Sequence, residues 1–332
     1  VEADEVSLSD ILGSPVERRE DLPLITGEAE YTDDIHHPRT AHMAVARSQY
    51  AHARIENVET SAAEAMDAVH AVYTAKDVEA SDAPARLAVW VEEDYATFPD
   101  RPLLAIDRVR YQGEPIAVVI ADDRYTAAEA ADAIQVTYDR LDAVTDPDDA
   151  LAGDAPTIHD ERPDNVALEW EQGDATGTDA ALDAADHVVE VELDNNRLIP
   201  TAMEPRAAVA RYRSATDELT VEMTSQNPHL HQRWLAETLG HPDHKIRIRA
   251  PHVGGGFGSK IHHYPDEALA AWCAMRTERP VKWVATRSEG FLSTSHGRNH
   301  RTTAELGVDD DGTVRGLRVD TRVGVGAFLS SA

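Results

Sequence analysis

A single cysteine, Cys273, in 332 residues leaves no disulfide framework and no clustered-cysteine iron–sulfur or zinc site. A reducing interior is the default compartment for such a chain. No apolar run approaches the roughly 18 residues of a membrane span. The acidic start Val1-Glu2-Ala3-Asp4-Glu5 lacks the basic region of a secretion signal. These absences predict a soluble, cytoplasmic protein with no membrane span. Positive charge is scarce too: 31 Lys+Arg stand against 61 Asp+Glu, a formal net charge of −30, so a phosphate backbone is repelled and no nucleic acid is expected as a partner. Only four basic residues are lysine, at Lys76, Lys245, Lys260 and Lys282. Carboxylates hold hydration and salt screens their repulsion, whereas the apolar stem of lysine adds nothing to solubility. The skew predicts a halophilic protein from a high-salt cytoplasm.

What is present has the length for two domains, each with its own core. Residues 1–20 are polar and read as an arm. From Tyr31 to Val144, branched strands at Ala44-Val45-Ala46, Val69 to Tyr73 and Pro115 to Ile120 alternate with alanine-rich helical stretches. One α+β domain is expected over 21–145. Residues 146–164 are polar and carry Gly and Pro, which predicts a linker to a second unit over 165–332. In that unit strands are expected at His187 to Leu193, Leu219 to Met223, Lys245 to Arg249 and Val281 to Val284. Helices are expected at Ala180 to Ala185, Leu230 to Leu239 and Glu267 to Met275. Asp309-Asp310-Asp311-Gly312 predicts a tight turn between two further strands. The last residues, Val323 to Ala332, are apolar and glycine-rich, which reads as truncation or as a surface that a partner covers.

The strongest chemical signal is Gly254-Gly255-Gly256-Phe257-Gly258-Ser259-Lys260, between a strand and a helix. Ordered glycines cost about 0.5–1 kcal/mol each relative to alanine, so the local structure needs bare backbone. Phe257 reads as a fixed apolar wedge, and the helix start beyond it as a seat for anionic groups. The segment is neither a Walker A loop, since Ile261 follows Lys260, nor a dinucleotide fingerprint. Thr224-Ser225-Gln226-Asn227-Pro228-His229 ends a strand, with side chains expected to face a crevice; alternatively Ser225 or Asn227 caps the following helix. Glu204 and Arg206 are expected to contact each other across Pro205. Arg298, in His296-Gly297-Arg298, either pairs with a phosphate or carboxylate or ties down its loop. The pairs His229/His231 and His262/His263 lack metal-ligand spacing, so no metal bound directly by side chains is expected. Cys273 lies in an apolar helix and reads as core.

Tyr31-Thr32-Asp33-Asp34-Ile35, His52-Ala53-Arg54-Ile55, Val109-Arg110-Tyr111-Gln112-Gly113-Glu114-Pro115, Met203-Glu204-Pro205-Arg206 and the glycine motif occur in the order of one family. The chain closely resembles the large subunit of the molybdenum hydroxylases, which include xanthine dehydrogenase, aldehyde oxidase and aerobic carbon monoxide dehydrogenase. The resemblance implies an α+β fold: a hammerhead domain followed by the first part of a molybdopterin-binding domain. It implies molybdenum held by a molybdopterin dithiolene, in the cytosine dinucleotide form, with water as the oxygen source. Gln226 matches a glutamine beside the cofactor and Phe257 the aromatic of the loop at the metal. Gly255, Gly256, Gly258 and Arg298 complete the implied cofactor-binding set. Implied partners are a 2Fe-2S small subunit, an FAD-binding medium subunit and a C-terminal portion carrying the catalytic glutamate, without which this chain is expected to be inactive. Ile261 stands where purine-oxidising relatives carry an acid, which favours an aldehyde or carbon monoxide as substrate. The alternatives are a xanthine, purine or N-heterocycle hydroxylase subunit, a non-catalytic scaffold, and a nicotinamide oxidoreductase that the defective fingerprint weakens.

Overall fold

Pro115–Ala121 is an unbroken apolar run with every residue buried, as in a strand covered on both faces. It lies within a seven-stranded mixed sheet of the computed structural model, which describes residues 12–87 and 99–329. The sheet strands are β1 (Ala41–Arg47), β2 (Val69–Thr74), β3 (Pro115–Ala121), β4 (Ala207–Arg213), β5 (Glu218–Met223), β6 (Ile246–Arg249) and β7 (Val281–Val284). Their spatial order is β6-β5-β4-β7-β1-β3-β2. Strands from both ends of the chain thus share one sheet. The seam is the parallel pair β1–β7, with Ala41 opposite Val281 and His42 opposite Lys282.

The helices follow from their caps and apolar faces. Helix α1 (Arg124–Ala133) starts where the Asp123 carboxylate accepts from the Tyr125 and Thr126 amides, and it buries Ala127, Ala130 and Ala131. Helix α2 (Ala175–Asp183) is capped by Asp174 and buries Leu182. Helix α3 (Pro228–Leu239) opens with proline at its first turn and closes on Gly240 at φ 63°. Helix α4 (Pro265–Thr277) is buried from Pro265 through Ala274, so it is apolar nearly all round. Helix α5 (Arg287–Ser293) carries a capping box between Thr286 and Glu289.

Two three-stranded sheets flank this core, and Arg86–Leu87 pairs with Arg101–Pro102 in a further two-stranded one. Arg108–Val109, Ala53–Glu59 and Gln135–Arg140 form one. His187–Asn195, His300–Val308 and Val314–Val323 form the other, with the predicted turn at Asp309 to Gly312 joining its last two strands. Residues 146–164 contain the short helix Pro147–Ala150 and are pinned to that sheet: Arg301 pairs with Asp146 and Asp148, and His159 Nε2 donates to the Ala327 carbonyl at 2.6 Å. The first eleven residues of the expected arm, and Ser330 to Ala332 of the apolar tail, lie outside the described residues.

Candidate functional site

The end of β5 and the glycine-rich loop meet. Gln226 is held by two hydrogen bonds to Lys260: its backbone N–H donates to the Lys260 carbonyl at 3.0 Å, and its Oε1 accepts from the Lys260 amide at 3.1 Å. The Gln226 side chain lies on Gly256, where a Cβ would come within 2.4 Å of Cδ. With Oε1 engaged, the Nε2 amide protons are left for an outside acceptor.

The loop backbone is turned the same way. Gly255, Phe257 and Gly258 sit at φ 98°, 53° and 86°, so left-handed residues interrupt the chain and turn successive N–H groups into a concave nest. For Phe257 this conformation is strained, at a cost on the order of 1–3 kcal/mol. Among the described residues, no protein acceptor receives the amides of Gly255, Gly256, Phe257 or Gly258. Several loop carbonyls, by contrast, are taken: Gly256 O accepts from Ser259, Gly258 O from Ile261, and Ser259 O from the Tyr264 hydroxyl at 2.7 Å. Phe257 is 74% exposed.

Glu204 clamps both ends of the loop. Its Oε2 accepts from the Gly254 amide at 2.7 Å and from Lys260 Nζ at 3.3 Å, and its carbonyl accepts from Lys260 Nζ at 2.9 Å. Gly254 permits this approach, since a Cβ there would stand 2.5 Å from Glu204 Cβ. Burial lowers the pKa of Lys260, and Glu204 opposes that shift. Sequence reading missed this clamp; the proline at 205 was its one visible signal, because it fixes the chain beside Glu204. The expected Glu204–Arg206 contact is not made. Arg206 turns instead into a buried network with Glu267 at 2.9 Å, Asp266 at 2.8 Å, Ser293 and Thr294, and it lies over the Tyr264 ring at 3.8 Å.

Three further expectations are corrected. The start of α4 is no seat for an outside anion, because Asp266 and Glu267 occupy its first turn and face Arg206. The Asn227 side chain makes no cap bond to α3, and both its polar atoms are buried without a partner among the described residues. Thr224 and Ser225 turn inward rather than to a crevice: the Thr224 hydroxyl accepts from the Ala207 amide, and Ser225 meets His231 Nδ1 at 2.6 Å. Arg298 stands exposed just after the Leu198–Gly297 bridge, at φ 70°. Cys273 is buried in α4, and burial pushes its thiol up, as for a core residue.

A pterin-held metal, rich in oxygen and sulfur acceptors, fits this chemistry. Four amides and the Gln226 amide group present donors with no acceptor, and no Cβ lies in their way at Gly258. Among the described residues, no group of three or more His, Cys, Asp or Glu side chains is placed to hold a metal ion, so such a group would have to bring its own ligands.

The comparisons agree in kind. Residues 158–332 match the molybdopterin cofactor-binding domain, and residues 26–142 the a/b hammerhead domain of aldehyde oxidase and xanthine dehydrogenase. The chain is similar to the carbon monoxide dehydrogenase large chain of Hydrogenophaga pseudoflava, at 36% identity over 95% of this chain and 40% of that one. It is 32% identical to the nicotinate dehydrogenase large molybdopterin subunit of Eubacterium barkeri, over 96% of this chain and 72% of that one. The structure of quinoline 2-oxidoreductase from Pseudomonas putida 86 superposes with a TM-score of 0.85 at 34% identity, covering 93% of this chain and 39% of that one. The chain therefore spans about two fifths of the carbon monoxide and quinoline enzymes' chains. An α+β hammerhead domain followed by the start of a molybdopterin-binding domain is thus the architecture, and the chain belongs to the molybdopterin cofactor-binding family.

Proposed function

We propose that the chain is the cofactor-cradling part of a molybdenum hydroxylase large subunit, with the hammerhead domain at 21–145, a linker at 146–164 and the cofactor-binding domain from 165. The observation that carries this reading is the seating of Gln226 on Gly256 beside the unclaimed amides of residues 255–258. When bound, a molybdopterin cofactor, of the cytosine dinucleotide form in this reading, supplies the redox chemistry that adds an oxygen atom from water to an electrophilic carbon. The chain's own part is to orient and to donate. Gln226 Nε2 and the Phe257 and Gly258 amides are preorganised donors for oxygen ligands, rigid because Glu204 and Lys260 fix the loop ends. Phe257 shields that face from water. Arg298 is assigned to an anionic part of the cofactor.

The favoured substrate is an aldehyde or carbon monoxide, because Ile261 offers no hydrogen bond to a purine. An N-heterocycle hydroxylase is the second reading, supported by the similarity to quinoline 2-oxidoreductase. Electrons leave to a 2Fe-2S subunit and an FAD subunit in this reading, and the acid surplus suits a halophilic cytoplasm. The test is the molybdenum and pterin content of the complete large subunit, purified from its host with and without Gly256→Ala. A Cβ at 256 displaces the Gln226 amide, so at least a tenfold loss of bound molybdenum is expected, with the far-UV spectrum unchanged. Equal molybdenum in both, or none in the unaltered subunit, overturns the reading.

A further inference from the structure

A second cluster lies away from the glycine loop, where the small sheet of the hammerhead meets residues 156–160. His52, Arg54, Arg108, Asp142, Thr157 and Asp160 line an open cleft of about 300 Å³. Two buried polar atoms here have no partner among the described residues: Nε of Arg108 and Nε2 of His52. Buried N–H groups and ring nitrogens are rarely left so, because each unmade hydrogen bond keeps its desolvation cost. His52 is only 4% exposed, and its Nδ1 donates to the Asp142 carbonyl at 2.7 Å. Its Nε2 therefore carries the lone pair of a neutral imidazole. Burial holds the ring below its ordinary pKa, and Arg108, Arg110 and Arg54 reinforce this against the Asp142 bond.

The arginines are poorly answered. In a chain whose acids outnumber its bases about two to one, Arg54 and Arg108 meet carboxylates only at 3.3 Å, from Asp139 and Asp160, which are 53% and 78% exposed. Pairs so long and so exposed are worth at most about 1 kcal/mol. Arg110 does not line the cleft; its guanidinium donates to the Ile158 and Arg108 carbonyls. Forked donors beside a lone-pair acceptor match one ligand chemistry: an oxyanion that also carries an O–H.

We propose that this cleft binds a hydrogen-phosphate group, with Arg108 and Arg54 on its charged oxygens, His52 Nε2 accepting its O–H, and Asp160 as the internal carboxylate that the ligand displaces. A free phosphate and the terminal group of a phosphomonoester share this chemistry. The site is separate from the glycine loop and stands whether or not the cofactor reading holds.

The test is calorimetric titration of the intact polypeptide at pH 6, where a phosphomonoester (second pKa about 6) still keeps a large share of its O–H, and at constant ionic strength, with inorganic phosphate, with sulfate, which has no O–H, and with phosphoserine as the monoester. Phosphate is expected to bind at least tenfold more tightly than sulfate, and His52→Ala to bring it down to the sulfate level. Arg108→Gln removes binding of both ions. Asp160→Asn, at an exposed position where folding is not at stake, tightens phosphate binding several-fold, an effect that a merely structural cluster would not give. Phosphoserine binding more tightly than phosphate assigns the monoester as ligand; weaker binding assigns the free ion. Phosphate and sulfate binding alike, heats no different from chloride, or an Asp160→Asn chain that binds phosphate no better overturns the proposal.

Discussion

His231 joins the two halves of the candidate site through one ring. The Ser225 hydroxyl donates to its Nδ1 at 2.6 Å, one residue before Gln226, and its Nε2 donates to the His262 carbonyl at 3.0 Å, just after the glycine loop. Only the neutral ring makes both bonds, and burial pushes its pKa down to about 4. The unfolded chain takes up this proton near pH 6.5. Stability from this group is therefore complete above pH 6.5 and is lost as pH falls toward 4, by about 3 kcal/mol in all. Urea unfolding at pH 7 and pH 5 should show about 2 kcal/mol of that loss, and His231→Gln should flatten it; an equal slope in both chains rules the ring out as its source. His231 also shows what residue-level reading could and could not see. That Gln226 stands by the glycine loop was implied by the family resemblance, not by the residues themselves, since nothing local says which strand end meets which loop. The Glu204–Arg206 expectation failed because adjacency in sequence says nothing about partners on α4, some 60 residues away.

At the scale of elements, periodicity and caps made most of the fold readable: β3, α1, α3 and α4 lie where apolar runs and Pro or Asp starts put them. Ala53–Glu59 and Ala207–Arg213 escaped notice, the first because it is largely polar and the second because alanine carries little strand signal. Beyond the apolar core they share, an ion-pair network ties β1 to α4. Arg47 Nη2 reaches Asp266 at 2.6 Å and Glu289 at 3.0 Å, while Arg206 takes the other Asp266 oxygen. Burial pushes the Asp266 carboxyl up, but Arg47 and Arg206 outweigh it and hold the group well below the usual carboxylate range. Arg206→Met would leave Glu267 buried without a cation and Asp266 with Arg47 alone, so a loss of about 3–5 kcal/mol is expected by denaturant unfolding. Breaking the exposed Arg213–Glu218 pair should cost under about 1 kcal/mol. Equal costs would show that the network is solvated.

For the whole molecule, a formal charge of −30 makes self-repulsion the largest long-range term. Salt also weakens favourable exposed pairs such as Arg301 with Asp146, but those are each worth little, so screening of the surplus decides the sign. Thermal melting in potassium chloride should rise steadily between about 0.1 M and 2 M, where the Debye length shrinks from about 10 Å to under 3 Å. A flat or falling curve would remove the case for salt adaptation. Composition made that charge legible, but not the single sheet, because which strands share a sheet depends on long-range pairing that no local pattern encodes.

The narrow seam between β1 and β7, two paired residues long, has a practical outcome. A gene cut near residue 145 would yield two polypeptides, each with a bare rim of amide and carbonyl groups along a strand that was interior before. Such rims recruit neighbouring molecules edge to edge. Expressed apart, the halves belong in inclusion bodies; expressed together, they have a template on which to reassemble.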